Sequence, residues 1–282
     1  MIQAEQFTPV CTFHGEGPLW DARRERLLLV DLLAGAVVEV DAGGAVARHE
    51  VDRVVAALRP RRQGGFIAAL ERGLALLDER FRVQERFPVE LPEGVRFNDG
   101  GCDPRGRFYI GSMAYDFTEG AAALYRLGSD GRLHVAVDAV TISNGIQWSA
   151  DGALAYYNDT ATGRVDVFDA DPATGALSNR RVHARIEGPG APDGMAIDVE
   201  GGLWVALWGG GAVVRIDPDG TVSERIALPV PQVTACAFGA DGSRLFITTS
   251  RDGAPDEALG SSGAVFACSP GVRGATVHAY AG

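Results

Sequence analysis

Residues 152–175, GALAYYNDTATGRVDVFDADPATG, give an apolar strand, a small-residue turn, a second strand and a turn rich in Asp, Pro and Gly. Val165 and Val167 alternate as the side chains of a strand do, Phe168 follows, and Asp169 to Gly175 supplies the punctuation that ends a strand. The same phrase recurs outward in both directions: RLLLVDLLAGAVVEVDAGG at 26–44, GRFYIGSMAYDFTEGAAALYRLGSDG at 106–131, GGLWVALWGGGAVVRIDPDG at 201–220 and SRLFITTSRDGAPDEALGSSGAVFACSPG at 243–271, with a weaker copy, GGFIAALERGLALLDERF, at 64–81. About six copies at a period of about 40–50 residues is the signature of propeller blades, each a sheet of four short strands. Asp151-Gly152, Pro218-Asp219-Gly220 and Asp241-Gly242 sit between strands as tight-turn signals. Helical periodicity is nearly absent and no Pro/Ser-rich linker divides the chain. The expectation is an all-β, six-bladed β-propeller with four-stranded antiparallel blades, one domain over 1–282. A β-sandwich, the main competitor, requires no repeat of this length.

A ring of blades stays open unless one terminus is tied to the last blade. The stretch Gln3 to Phe13 precedes the first copy and is placed to pair beside the final blade, and TVHAYAG at the C-terminus is assigned to that blade too.

Apolar residues at 46% and charged residues at 22% give a core of ordinary size, and 37 glycines suit many short strands. A net charge of −11 argues against nucleic acid, which needs clustered Lys and Arg, and against anionic membranes. The N-terminus has no basic and apolar leader pattern and no window is apolar enough for a membrane span, so the expected location is cytoplasmic. The expected partner is a small molecule, with neither nucleic acid nor membrane, and the chain a monomer or weak homo-oligomer. Cys11, Cys102, Cys236 and Cys268 lie far apart without a C-x-x-C pair and read as free thiols.

In a propeller the innermost strands face one another across a central channel. Successive copies begin Gly15-Glu16-Gly17-Pro18, Arg96-Phe97-Asn98-Asp99-Gly100, Ser143-Asn144-Gly145 and Pro192-Asp193-Gly194. Taken singly, an Asx-Gly pair is an ordinary turn. Yet 46 residues separate Asn98 from Asn144 and 49 separate Asn144 from Asp193, about one blade each, so these groups occupy equivalent places around one axis. Oxygens from Glu16, Asn144 and Asp193, without His or Cys, make a hard donor set suited to calcium, magnesium or manganese before zinc. A purely structural ion in the channel is the alternative to a catalytic one.

These segments resemble the gluconolactonase, regucalcin (senescence marker protein) and luciferin-regenerating enzyme family of six-bladed propellers. The resemblance runs through GEGPLW, VRFNDGGCDPRGRFYIGSM, ISNGIQWSADGALAYYNDT, GALSNRR, PDGMAIDVEGGLWVALWGGG and TACAFGADGSRLFITTSRDG. It implies one divalent metal ion held by Glu16, Asn144 and Asp193, calcium first, with zinc, magnesium, manganese and iron as alternatives. It implies that Arg96 and Asn98 hold substrate oxygens, with Asp99 beside them as an acceptor. Some relatives carry Glu after the segment that here reads Gly111-Ser112-Met113-Ala114, where this chain has Tyr115, followed by Asp116 and with Glu119 nearby. Tyr115 then contacts the substrate in place of the Glu, with one phenolic oxygen where a carboxylate has two, and the recognition of a particular hydroxyl weakens. Trp208 is expected in the cavity wall, Trp148 and Trp204 in the core. His14 adjoins the first motif, but five scattered histidines give no basis for a catalytic imidazole.

The activity implied is metal-dependent hydrolysis of a sugar lactone to the aldonic acid, with Asp193 as general base as well as ligand. Two other functions fit the resemblance: a calcium-binding regulatory protein of the regucalcin type, and a phosphotriesterase of the diisopropyl fluorophosphatase type. The latter channel normally holds further acidic and amide ligands that this sequence lacks.

Overall fold

The computed structural model describes residues 2–239 and 241–282 and shows six antiparallel four-stranded blades around an axis. Blade one comprises Gly15–Asp21, Arg26–Asp31, Ala36–Val40 and Val46–Glu50; blade two Val55–Pro60, Phe66–Leu70, Gly73–Leu77 and Val83–Pro88. Blade three comprises Val95–Cys102, Phe108–Ala114, Ala122–Leu127 and Leu133–Val140; blade four Ser143–Trp148, Leu154–Asp159, Arg164–Ala170 and Leu177–Arg185. Blade five is Ala191–Ile197, Leu203–Trp208, Ala212–Ile216 and Val222–Ala227, and blade six begins with Val233–Gly239, Arg244–Thr249 and Phe266–Cys268. The weakest sequence copy, at 64–81, thus forms a complete blade.

Burial falls from axis to rim. The inner strand Val95–Cys102 is buried at every residue, whereas the outer strand Val83–Pro88 is exposed at all but its first. A strand near the axis is covered on both faces by neighbouring blades, so it takes apolar or small residues throughout. Apolar clusters accordingly fill the spaces between blades, the largest spanning blades one to three around Phe66, Phe97 and Phe108.

The ring closes through the N-terminus. Glu5–Gln6 forms the outermost strand of blade six, pairing antiparallel with Ala267 and Phe266, and Ile2–Gln3 runs parallel to Ile226 and Ala227 at the rim of blade five. One short segment thus ties two blades. The C-terminal segment TVHAYAG does not join blade six as the sequence reading had it. Ala275 donates its N–H to Ile197 O on blade five, and Tyr280 exchanges hydrogen bonds with Pro60 O and Arg62 N–H beside blade two. Between those anchors Thr276, Val277 and His278 cross the channel and close one end of it. The N-terminal strand Glu5–Gln6 takes the outermost place in blade six that either terminus could have filled.

Every inner strand is irregular near its start. Pairing shifts register between Glu16 and Leu19, Val55 and Ala57, Phe97 and Gly100, Ser143 and Ile146, Pro192 and Met195, and Val233 and Ala235. Such bulges leave residues unpaired and re-aim their side chains. The polar residues picked from the sequence therefore lie within strands, Asn98, Asp99, Asn144 and Asp193 in bulges and Glu16 at the edge of one, rather than in turns ahead of them. Their glycine neighbours serve close approach: a Cβ on Gly145 would stand 2.8 Å from Asp193 O, and one on Gly194 2.4 Å from Ala235 Cβ on the next blade.

Candidate metal centre and substrate cleft

The bulges bring Glu16, Asn98, Asn144 and Asp193, with Arg96, to one end of the channel, at the floor of a cleft of about 250 Å³. All five are buried. Tyr115 lines the same cleft at its rim, 46% exposed. Trp208 forms part of the wall, while Trp148 and Trp204 are buried among apolar side chains.

Asp99 parts company with its neighbour. It borders a second, smaller cavity of about 60 Å³ at the other end of the channel, under the C-terminal crossing. There its carboxylate accepts the Gly100 N–H at 2.7 Å and faces Arg59 at 3.8 Å. The Asn98 and Asp99 side chains line different cavities, and Asp99, expected as an acceptor beside Arg96 and Asn98, is not part of the cleft lining. Asp116 and Glu119 are also outside the cleft; Asp116 Oδ1 is taken by the Thr118 hydroxyl and N–H.

Two aspartates at equivalent second-strand ends hold the loops that lead into the floor. Asp31 Oδ1 accepts the N–H groups of Phe13 and His14, at 3.1 and 2.9 Å, just ahead of Glu16. Asp159 accepts those of Thr141 and Ile142, at 3.0 and 2.9 Å, just ahead of Asn144. Thr160 then fixes the Asn144 amide. Its hydroxyl donates to Pro192 O at 2.8 Å, so only lone pairs face Asn144, which must present Nδ2 (2.8 Å) and leave Oδ1 to the other side. Asn98 Nδ2 donates to Ser143 O at 2.9 Å and, at 3.3 Å, to Asn144 Oδ1, while Asn98 Oδ1 accepts from Arg96 Nη1 at 2.7 Å. Asn98 thus braces the floor, whereas Arg96 Nε is buried without a partner and remains an open donor.

The floor is electrostatically frustrated. Burial, then the nearby charge of Asp99, pushes the Glu16 carboxyl up to about 8. Burial, then the charges of Glu16 and Asp99, raises Asp193 well above the carboxylate range, and its Oδ1 is buried with no hydrogen-bond partner. Two buried carboxylates that repel each other, one oxygen bare and an amide oxygen held beside them, fit a hard divalent ion. Among the described residues no cluster of three or more His, Cys, Asp or Glu side chains is placed to hold a metal, so an ion here would depend on the Asn144 carbonyl as its third protein oxygen.

Comparison with known proteins agrees with this architecture. The profile of the SMP-30/gluconolactonase/LRE-like region matches residues 14–251. The chain belongs to that family. Regucalcin from Homo sapiens is 37% identical, the alignment covering 95% of each chain. A solved luciferin-regenerating enzyme superposes with a TM-score of 0.89 at 29% identity, covering 99% of both chains. A calcium-binding protein, regucalcin from Agrobacterium tumefaciens, superposes with a TM-score of 0.89 at 28% identity, covering 99% of this chain and 98% of its own.

In this SMP-30/gluconolactonase/LRE-like chain several cleft residues escaped the sequence reading. Thr160 carried a usable signal, since it closes the ISNGIQWSADGALAYYNDT segment one strand after Asn144. His14 is tilted against Trp208 with ring centroids 5.8 Å apart, pairs through Nδ1 with Ser250 Oγ at 2.8 Å, and is held neutral, its pKa lowered by burial to about 4. Asp252, Leu33, Met113, Phe117 and Ile142 complete the lining. No sequence signal marks Asp252, Leu33, Phe117 and Ile142, because their segments reach the cleft only once the blades are assembled.

Proposed function

We propose that this protein is a metal-dependent hydrolase that opens a small sugar lactone to its aldonic acid, with calcium as the first expected ion and Glu16, Asn144 and Asp193 as its protein ligands. The observation that carries the reading is the bare, buried Oδ1 of Asp193 beside the Glu16 carboxylate, at the floor of a cleft lined by Arg96. The family description, which includes gluconolactonase, supports the reaction class.

When bound, a divalent ion supplies Lewis acidity to the lactone carbonyl and offsets the two carboxylates. The Arg96 guanidinium, which lines the cleft, donates to a ring oxygen or hydroxyl and orients the ring. Thr160 and Asn98 hold the Asn144 amide in one orientation. Burial of the floor excludes bulk water and strengthens these contacts. Hydrolysis consumes one water: its oxygen bonds to the carbonyl carbon, its proton passes to the Asp193 carboxylate, and the acyl–oxygen ring bond breaks as that proton is delivered to the departing ring oxygen.

Acid release from glucono-, galactono-, xylono- and arabinonolactone tests the reading. Turnover is expected on at least one, abolished by chelation and by Asp193→Ala or Asn144→Ala with the fold retained, because these residues line a cleft rather than a blade interface. Normal turnover in either variant overturns the site assignment. A regulatory calcium-binding role is the second reading, favoured by the regucalcin relatives and by the printed description of the Agrobacterium tumefaciens structure. Calcium binding without turnover on any lactone would support it. A cytoplasmic location belongs to the same proposal and is supported by four free cysteines, which suit a reducing compartment. Among the described residues no helix is long and apolar enough to cross a membrane.

A further inference from the structure

The cleft holds one carboxylate that the metal centre does not use. Asp252 follows the second strand of blade six and lines the cleft with Arg96, Tyr115 and Trp208. We infer that Asp252 is the specificity-determining residue that accepts hydrogen bonds from the substrate's hydroxyl groups, an inference that rests on the lactonase reading above.

The other acceptors in the cleft are either committed elsewhere or neutral. Tyr115 donates its hydroxyl hydrogen to Glu71 Oε1 at 2.8 Å, which ties the phenol to blade two and leaves only a neutral phenolic oxygen to accept. Asn98 Oδ1 serves Arg96. Asp116 and Glu119 lie outside, and Glu16 and Asp193 sit at the floor. Asp252, by contrast, stands on a braced turn with both carboxylate oxygens uncommitted among the described residues. Its N–H donates to Ser250 Oγ at 2.9 Å, Ala254 N–H closes the turn on Arg251 O at 3.1 Å, and Gln232 Nε2 holds Gly253 O at 3.1 Å. The loop therefore presents the carboxylate without having to order on binding, and an ordered loop has less conformational entropy to lose.

Charge placement agrees. Asp252 is close enough to act electrostatically on Arg96, so the cleft has a cationic donor from blade three and an anionic acceptor from blade six, with the apolar ring of Trp208 in the wall. A hydroxyl is donor and acceptor at once, and a polyhydroxylated ring between these walls can satisfy both. Hydroxyl reading, weakened at the Tyr115 corner, falls to Asp252.

Steady-state kinetics with calcium present compare glucono-δ-lactone with δ-valerolactone, the ring without hydroxyls, for the wild type, Asp252→Ala and Asp252→Asn, with Asp116→Asn as a control outside the cleft. Asp252→Ala is expected to raise KM for the sugar lactone about tenfold to a hundredfold, the effect of losing a charged hydrogen-bond acceptor, and to lower discrimination between the two lactones by the same factor. Asp252→Asn, which keeps one acceptor oxygen, falls between. An unchanged KM, or an equal loss on both lactones, overturns the assignment. If the wild type hydrolyses no lactone, the lactonase reading has failed, and calorimetric binding of the cyclic ether of glucitol, which carries the ring hydroxyls without the carbonyl, decides Asp252 separately. Binding weakened by Asp252→Ala upholds the hydroxyl-accepting role; equal binding to both proteins, or none to the wild type, overturns it.

Discussion

Replacing Glu16 by Gln removes one of two repelling buried carboxylates while keeping the side chain's shape. The Gly17 N–H, which Glu16 Oε2 accepts at 3.0 Å, can still be satisfied by the amide oxygen. In the metal-free protein the Glu16 carboxyl titrates near 8 rather than the ordinary 4.5, because burial and the charge of Asp99 oppose ionisation. The native state therefore holds a proton that the unfolded chain has already lost between those values. The stability of the neutral form is fully present below about 4.5 and is lost as pH rises through about 8, a difference of at most about 5 kcal/mol. Glu16→Gln escapes that loss. In chelator at pH 9 the variant is expected to unfold at a higher temperature than the wild type, by on the order of 10 °C for a chain of this size, with the gap closing toward pH 5. Saturating calcium narrows the gap, since the wild type gains about 3 kcal/mol at a hundredfold excess over Kd and the variant little. Thermal unfolding followed by circular dichroism across pH 5–9, with and without calcium, measures this. Equal metal-free stability at pH 9, or undiminished calcium stabilisation of the variant, would refute the picture of Glu16 as a strained carboxylate waiting for a cation.

Thr160→Val, which loses the oxygen that accepts from Asn144 Nδ2, is expected to weaken calcium binding about tenfold to a hundredfold in calorimetric titration, whereas Thr160→Ser keeps it; wild-type affinity in the valine variant counts against the orientation argument. Arg96→Ala is expected to raise KM while leaving calcium affinity within about twofold, and calorimetry showing lost calcium binding would move Arg96 from substrate to metal. Calcium binding should weaken as pH falls below about 8, because protons on Glu16 and Asp193 compete for the same oxygens. Titrations at pH 6 and 9 with equal affinity would contradict the raised carboxyls. Tyr280→Ala removes a buried side chain that pins the C-terminal crossing through Gly128 O at 3.0 Å, and is expected to cost about 3 kcal/mol or more in denaturant unfolding.

What was legible in the sequence is what repeats. Each blade is built from contacts local in the chain, so the strand–turn period at 26–44, 106–131, 152–175 and 201–220 was enough to count blades, and equal spacing was enough to place Asn98, Asn144 and Asp193 around one axis. The glycines beside those residues were visible too, although only the folded ring explains them, since the clash at Gly194 is with Ala235 of the following blade. Tertiary structure alone decided what breaks the repeat. A register shift between Phe97 and Gly100 sends Asn98 to the cleft and its neighbour Asp99 to the far cavity, a choice that no composition rule separates. The N-terminal strand takes the outermost place in blade six, and TVHAYAG crosses the channel instead. His14 meets Ser250 across 236 residues, and Asp252 comes to face Arg96, because blade six is brought back against blade one. Period and polarity are properties of each repeat and survive in the sequence. Which loops lean over the axis depends on the packing of first blade against last, which belongs to no local stretch of chain.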